Sequence, residues 1–186
     1  MKTLRIALAG SIALCVTAAP MAADKGEDGR DGGARLRANL SGYDEVPSVN
    51  TPARGRFRAT LSDDGLSIAY TLSYDGIASV VQQSHIHFAQ KSVNGSIVIW
   101  LCQGATRAPA GVPTPPECPR SPGGTVTGTI TAANVLASSI VTQQFPAGNL
   151  DAVLAAIRAG SAYANVHSAV SPGGEIRGQV KADDDD

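Results

Sequence analysis

The sequence is poor in cysteine, methionine, histidine and aromatic residues, and each scarcity limits the chemistry open to it. It has three cysteines, two methionines and three histidines, and aromatic residues make up 4% of its 186 residues. Both methionines, Met1 and Met21, lie in a segment typical of export signals, so thioether ligands would leave with that signal. Lys and Arg total 15 against 16 Asp and Glu, which argues against a general nucleic-acid-binding protein.

Several motifs of well-known enzyme classes are also missing. The sequence has no G-x-S-x-G nucleophile elbow, no G-x-x-x-x-G-K-[ST] phosphate loop and no G-x-G-x-x-G after a predicted strand. After the predicted signal, no apolar run approaches the length of a membrane helix, so we expect no membrane span in the mature chain. Hydrophobic residues at 43% are nevertheless enough to form a core.

Residues 1–23 have the pattern of a signal peptide. Lys2 and Arg5 precede the apolar run 6–19, and small residues follow it before the predicted cleavage after Ala22 or Ala23. We therefore expect an exported protein, periplasmic or extracellular. A lipid anchor at the first cysteine of the chain and a retained signal anchor are the alternatives.

The remainder divides into a linker, one domain and a short tail. Residues 24–34 contain mainly glycine and charged residues, which cannot bury apolar surface and predict a flexible linker. Residues 35–182 are long enough for one ordinary domain. Residues 183–186 are all aspartate and predict a solvated acidic tail.

Export determines the expected redox state of the two cysteines that remain after signal cleavage. In an oxidising compartment, Cys102 and Cys118 are expected to form a disulfide around a proline-rich loop. Metal ligation by the two thiolates is the less favoured alternative.

Alternating hydrophobic residues predict an all-β domain. Phe57, Ala59 and Leu61 alternate with polar residues, and after the turn 62–65 the same period continues from Leu66. The predicted strands are 57–61, 66–74, 83–89, 95–101, 124–131, 163–168 and 175–180. One short helix is predicted after Asn149, so the expected fold is an antiparallel β-sandwich or barrel with one short helix.

The three histidines lie in two of the predicted strands. His85 and His87 are two residues apart, so in a strand both side chains point to the same face, about 7 Å apart along the chain. His167 ends another predicted strand and would add a third imidazole. Three imidazoles without thiolate ligands favour copper, with zinc as the alternative. The competing interpretation is that two of the histidines lie on the surface and that the third has a structural role.

Two charged residues near the last predicted strand are further candidates. Glu175 follows His167 closely and is predicted as a fourth ligand or as a hydrogen-bond acceptor that orients an imidazole. Arg177 would lie on the same face as Glu175, and we expect an ion pair between them on the sheet surface. Trp100 is predicted to belong to the core or to a half-buried sheet surface.

Several short segments together resemble a known family. In chain order they are Leu40-Ser41-Gly42-Tyr43-Asp44-Glu45-Val46-Pro47, His85-Ile86-His87, Asn94-Gly95, Tyr163-Ala164-Asn165-Val166-His167 and Gly174-Glu175-Ile176-Arg177-Gly178-Gln179. Their order resembles the chordin-type (CHRD) domain over about residues 35–181. The departures are Ser48 where a second proline is common, Ser168 where threonine often follows the histidine, and the long insert between the cysteines.

The resemblance implies a compact all-β domain of exported microbial proteins, which is repeated in the animal growth-factor-binding protein chordin. It implies no established reaction, and the animal partner does not carry over to a single domain. The His-x-His strand also resembles the copper strand of copper/zinc superoxide dismutases, although only three histidines are present.

Two functions are therefore expected. The first is an exported protein that binds one copper ion through His85, His87 and His167, with Glu175 assisting, in a metal-binding or redox-protective role; superoxide dismutation would also need an open coordination position. The second is a non-catalytic module that binds an extracellular protein and in which the histidines are structural.

Overall fold

The structure, a computed structural model, describes residues 33–183. Three predicted segments lie wholly or mostly outside the described residues: the signal peptide 1–23, the linker 24–34 except for its last two residues, and the tail 183–186 except for its first residue. These predictions therefore stay predictions.

Nine strands and one α-helix make up the described chain, together with three short 3₁₀ turns. The strands are β1 (Arg35–Ser41), β2 (Arg54–Leu61), β3 (Ser67–Asp75), β4 (Val81–Phe88), β5 (Ser96–Gln103), β6 (Gly124–Thr131), β7 (Ala162–Ser168), β8 (Ile176–Gln179) and β9 (Lys181–Ala182), and the helix is α1 (Leu150–Arg158). The all-β prediction with one short helix is confirmed.

The strands form one antiparallel sheet in the order β5-β4-β7-β8-β1-β2-β3-β6, with β9 also pairing with β1. The sheet curls until its edge strands β5 and β6 approach each other, so that it is nearly closed into a barrel. The hydroxyl of Tyr70 on β3 donates across the interior to the carbonyl of Leu101 on β5. This near closure protects edge backbone groups that an open sheet would expose.

The period-two pattern explains which side chains fill the barrel. In the hairpin of β2 and β3, alternating side chains, such as those of Phe57, Ile68 and Leu72, are buried, and the residues that alternate with them are exposed or half-buried. The predicted hairpin is therefore confirmed. Trp100 is 9% exposed, in agreement with its predicted place in or beside the core.

The strand β1 was not among the predicted strands, although it lies in the middle of the sheet. It pairs with β2 on one side and with β8 and β9 on the other. Its residues Leu36, Ala38 and Leu40 are buried and alternate with exposed polar residues. The alternation was visible in the sequence and would have predicted the strand.

The helix α1 begins after the predicted cap residue Asn149 and buries one apolar stripe. The side chain of Asn149 accepts a hydrogen bond from the Ala152 backbone N–H at 2.9 Å, and Gly160 after the helix has a φ of 67°. Leu150, Val153, Leu154 and Ile157 are buried in the core.

A disulfide joins Cys102 on β5 to Cys118 in the proline-rich loop. Cys102 is fully buried and belongs to the hydrophobic core. The backbone of Cys118 also donates to the Gln103 carbonyl at 2.8 Å, so the covalent link lies beside a hydrogen-bonded one. Together they fasten the insert to an edge strand.

Removing this disulfide is expected to destabilise the domain. The variant Cys102→Ala/Cys118→Ala should lower the free energy of unfolding by about 3 kcal/mol, because closing a loop of this length restricts the unfolded chain. Urea unfolding under non-reducing conditions measures the change. Wild-type protein unfolded with a reductant serves as the control and should match the variant; an unchanged midpoint in both would contradict the prediction.

Candidate metal centre

The three histidines lie on the outer face of two paired strands. In the antiparallel pair β4 and β7, His85 is opposite Asn165, His87 is opposite Tyr163, and His167 is opposite Gln83. Directly opposed residues point to the same side of a sheet, so all three imidazoles share one face. Ile86 between the first two faces the core and is 1% exposed. The prediction that His85 and His87 share one face is confirmed.

The imidazoles converge at close range. One ligand nitrogen from each of His85, His87 and His167 lies within 4.8 Å of the others. The shortest separation is 3.3 Å, between Nδ1 of His85 and Nε2 of His167. Two nitrogens bound tetrahedrally to one ion at about 2.0–2.1 Å would lie about 3.3–3.4 Å apart, so this pair already has the spacing of metal ligands.

Backbone carbonyls fix which nitrogen of two rings is free to ligate. Nδ1 of His87 lies 3.0 Å from the Gly95 carbonyl oxygen, and Nδ1 of His167 lies 2.9 Å from that of Pro172. A carbonyl can only accept, so in the neutral rings Nδ1–H donates and Nε2 carries the lone pair. Such contacts orient metal-binding histidines in many proteins.

Two histidine nitrogens are buried without a hydrogen-bond partner among the described residues. They are Nε2 of His85 and Nε2 of His87. An unpaired buried polar atom costs folding free energy unless a partner such as an ion or a water molecule bonds to it. Nε2 of His87, together with the close pair of His85 Nδ1 and His167 Nε2, therefore fits a bound metal ion.

Burial keeps the histidines in the form that binds metals. His85, His87 and His167 are 0%, 7% and 5% exposed. Burial holds the pKa of His85 well below its ordinary value, lowers the pKa of His87 to about 4 and lowers the pKa of His167. Neutral imidazoles are the ligating form, so at neutral pH no imidazolium has to lose its charge before a metal binds.

Aromatic and cationic groups pack around the cluster. The Tyr163 ring stacks on His87 with centroids 4.7 Å apart, and the Arg177 guanidinium lies 4.5 Å from the centroid of Tyr163. Trp100 meets His85 edge-on at 4.3 Å. These contacts hold two of the imidazoles in place without occupying their free nitrogens.

Glu175 lies outside the group of converging histidines. Its carboxylate accepts hydrogen bonds from the Thr51 hydroxyl at 2.9 Å, from the Ala78 backbone N–H at 3.0 Å and from the Ser168 hydroxyl. None of these donors is a histidine, so the carboxylate instead ties the loops around the site to β7. Its predicted role as a ligand stays a prediction.

The expected surface ion pair between Arg177 and Glu175 is wrong. Arg177 is 4% exposed and bonds through Nε to Glu45 Oε2 at 2.6 Å. Its Nη2 donates to Asn94 Oδ1 at 2.7 Å. The reason is that β8 begins at Ile176. Glu175 lies in the loop before the strand, and its carboxylate bonds to Thr51 and Ala78 instead of Arg177.

Glu45 is the residue of this site that sequence reasoning missed. Besides Arg177, its carboxylate accepts from the Asn165 side-chain amide at 2.6 Å. Burial raises the pKa of Glu45, and the adjacent Arg177 guanidinium opposes that effect. Only its place in the first segment of the family pattern could have pointed to it.

Glycine at position 174 allows this network to close. Gly174 has a φ of 126°, and a Cβ there would lie 2.7 Å from both Asn165 Nδ2 and Glu45 Oε1. A side chain at this position would therefore push apart two groups that bond to each other.

Fold and site together define an all-β domain with a buried cluster of three histidines, braced by a buried Glu–Arg pair. The family model described as the CHRD domain matches residues 36–180. The chain therefore belongs to the CHRD-domain family, as the resemblance implied. The segments that carried the resemblance supply Glu45, the three histidines and Arg177 to this one site.

Searches of curated proteins and of solved structures returned no match. In the described part of the chain, no helix is long and apolar enough to cross a membrane.

Proposed function

We propose that this CHRD-domain protein is exported and binds one transition-metal ion through His85, His87 and His167, in a metal-binding or redox-protective role. The observation that carries the proposal is the 3.3 Å approach of His85 Nδ1 to His167 Nε2 beside the buried His87 Nε2, which has no partner among the described residues. The disulfide supports export, because such bonds persist mainly in oxidising compartments.

Copper is the first choice of metal and zinc the second. The cluster offers neutral imidazole nitrogens and no thiolate, a set that suits both ions, and copper(II) binds such sites more tightly. A bound copper ion would supply one-electron redox chemistry. The protein's own contribution is to hold the rings and to keep bulk water out by burial. Gly95 and Tyr163 contact His87, Pro172 contacts His167, and Trp100 contacts His85.

The burial of the cluster favours holding a metal over turning over a substrate. With side chains that are nearly unexposed, the site gives a substrate little direct access from solvent. Sequestration of a redox-active ion fits this geometry better than hydrolysis, which needs room for both an activated water and a substrate.

Metal titration of the untagged mature protein tests the proposal. After treatment with a chelator, the protein is titrated with Cu(II) and Zn(II), and the bound metal is counted by mass spectrometry. We expect one equivalent of copper in the wild type and none in His85→Ala/His167→Ala, because two of the three ligands are gone.

Two controls make the result decisive. Gln83→Ala changes the same strand and face without removing an imidazole and should keep one equivalent. If circular dichroism shows that the double variant is unfolded, His85→Gln/His167→Gln replaces it, because glutamine fills more of the buried volume than alanine. Absence of stoichiometric metal from the folded wild type would overturn the proposal and favour structural histidines in a protein-binding module.

A further inference from the structure

A cluster of arginines occupies the outer face of the sheet away from the histidines. It consists of Arg35 and Arg37 on β1 and of Arg56 and Arg58 on β2, and all four are exposed. The residues between them point into the barrel, so the strand period places the four guanidiniums on one surface. We call this surface the arginine face.

The strand register lines up like charges across this face. Arg37 is directly opposite Arg58 on one side and opposite Lys181 of β9 on the other. Neighbouring strands are about 4.8 Å apart, so the row of three cations spans about 10 Å. Thr71 and Thr127 continue the same row across β3 and β6.

This arrangement is unfavourable for the isolated domain. Like charges directly opposite each other destabilise a sheet. Within residues 33–183, the only carboxylate at ion-pair distance from these arginines is Asp183, 2.7 Å from Nε of Arg37. The whole chain has a net charge of −1, so an excess of basic residues does not explain the cluster. A bound polyanion would relieve the repulsion.

The face is also shaped to receive a ligand. It forms an open groove of about 850 Å³ that the four arginines line together with Asn39 and threonines of β2, β3 and β6. Its one aromatic lining residue, Tyr70, is 5% exposed and has its hydroxyl bonded inside the barrel. The groove therefore offers charge and hydroxyl groups but no aromatic surface for stacking bases.

We propose that the arginine face binds an anionic polysaccharide lying across the strands. Guanidiniums bind carboxylate and sulfate groups through paired N–H donors. The threonine hydroxyls and the Asn39 amide suit the neutral hydroxyls of a sugar chain. Single-stranded nucleic acid is a poorer match, because its binding sites rely on aromatic stacking.

Binding of the folded mature protein to two polymers tests this inference. Heparin fragments carry sulfates and polygalacturonate carries only carboxylates, so the pair identifies the anionic group. We expect binding to at least one of them, weakening as the salt concentration rises. The variant Arg56→Gln/Arg58→Gln should bind about tenfold more weakly, because two exposed ion pairs are lost.

The matched control is Arg120→Gln/Arg158→Gln, which removes the same charge from exposed positions outside the arginine face and should bind as the wild type does. Equal loss in both double variants would show a response to net charge alone and overturn the proposal. Failure to bind either polymer, or tighter binding to a single-stranded oligonucleotide of equal charge, would also overturn it. Metal binding is measured separately and does not enter this comparison.

Discussion

Glu45→Gln is expected to lower the free energy of unfolding by about 3–5 kcal/mol, because it leaves the buried Arg177 cation without its anion. The side chains of Glu45 and Arg177 are 2% and 5% exposed, so water cannot replace the lost carboxylate. The substitution keeps the size of the side chain and an oxygen for the Asn165 amide. Most of the loss therefore reports the unpaired charge.

The chain offers a matched control for this substitution. Glu117 forms an ion pair with Arg107, but there the two side chains are 65% and 60% exposed. Glu117→Gln should therefore cost less than about 1 kcal/mol. Urea unfolding of both variants, read by circular dichroism, gives the comparison. Similar losses in the two variants would show that burial of the Glu45 pair has no special effect.

Acidification of the metal-free protein is expected to remove several kcal/mol of stability between pH 6.5 and pH 4. Burial lowers the pKa of His87 to about 4, whereas an exposed histidine titrates near 6.5. In this window the unfolded chain binds a proton that the folded chain excludes, so stability rises with pH and is lost as the pH falls. His87 alone accounts for about 3 kcal/mol.

Other buried groups add to this effect or oppose it. Burial also lowers the pKa values of His85 and His167, which adds to the loss in acid. The raised pKa of Glu45 acts in the opposite direction, because the folded protein takes up that proton more readily than the unfolded chain. We expect the histidines to dominate, since three of them oppose one carboxyl.

Unfolding midpoints in urea at pH 7 and at pH 5 measure the dependence. His87→Gln, which cannot titrate, should show a smaller difference between the two pH values than the wild type. A wild-type midpoint that does not change between them would contradict the burial of neutral imidazoles.

Local sequence pattern predicted most of the strands, although β1 was missed, but it did not predict their arrangement. Alternation predicted the β2–β3 hairpin, and the capping residue Asn149 predicted the start of α1. The pairing of β1 with β8 joins segments far apart in the chain. No local period contains that information, because the same alternation is compatible with several neighbours in a sheet.

The contacts of the candidate site were likewise predictable from sequence only in part. His85 and His87 share a face by strand geometry alone, so their approach was predictable from two residues of spacing. The contact of Glu45 with Arg177 was not predictable, since 132 positions separate the two residues and only the folded sheet brings them together. The expected pairing of Arg177 with Glu175 failed because a same-face argument holds only where both residues belong to the strand.

The central position of β1 has a consequence for how the domain assembles. Ser41 at its end pairs with Arg177, and Arg37 pairs with Lys181, so the first described strand finds partners among the last. Contacts of such sequence separation slow folding, because a long loop must close before they form. Early in folding, the β2–β3 hairpin can form locally, while the histidine cluster has no support from β8. Under the proposed function, metal capture is thus a late event that requires the completed sheet.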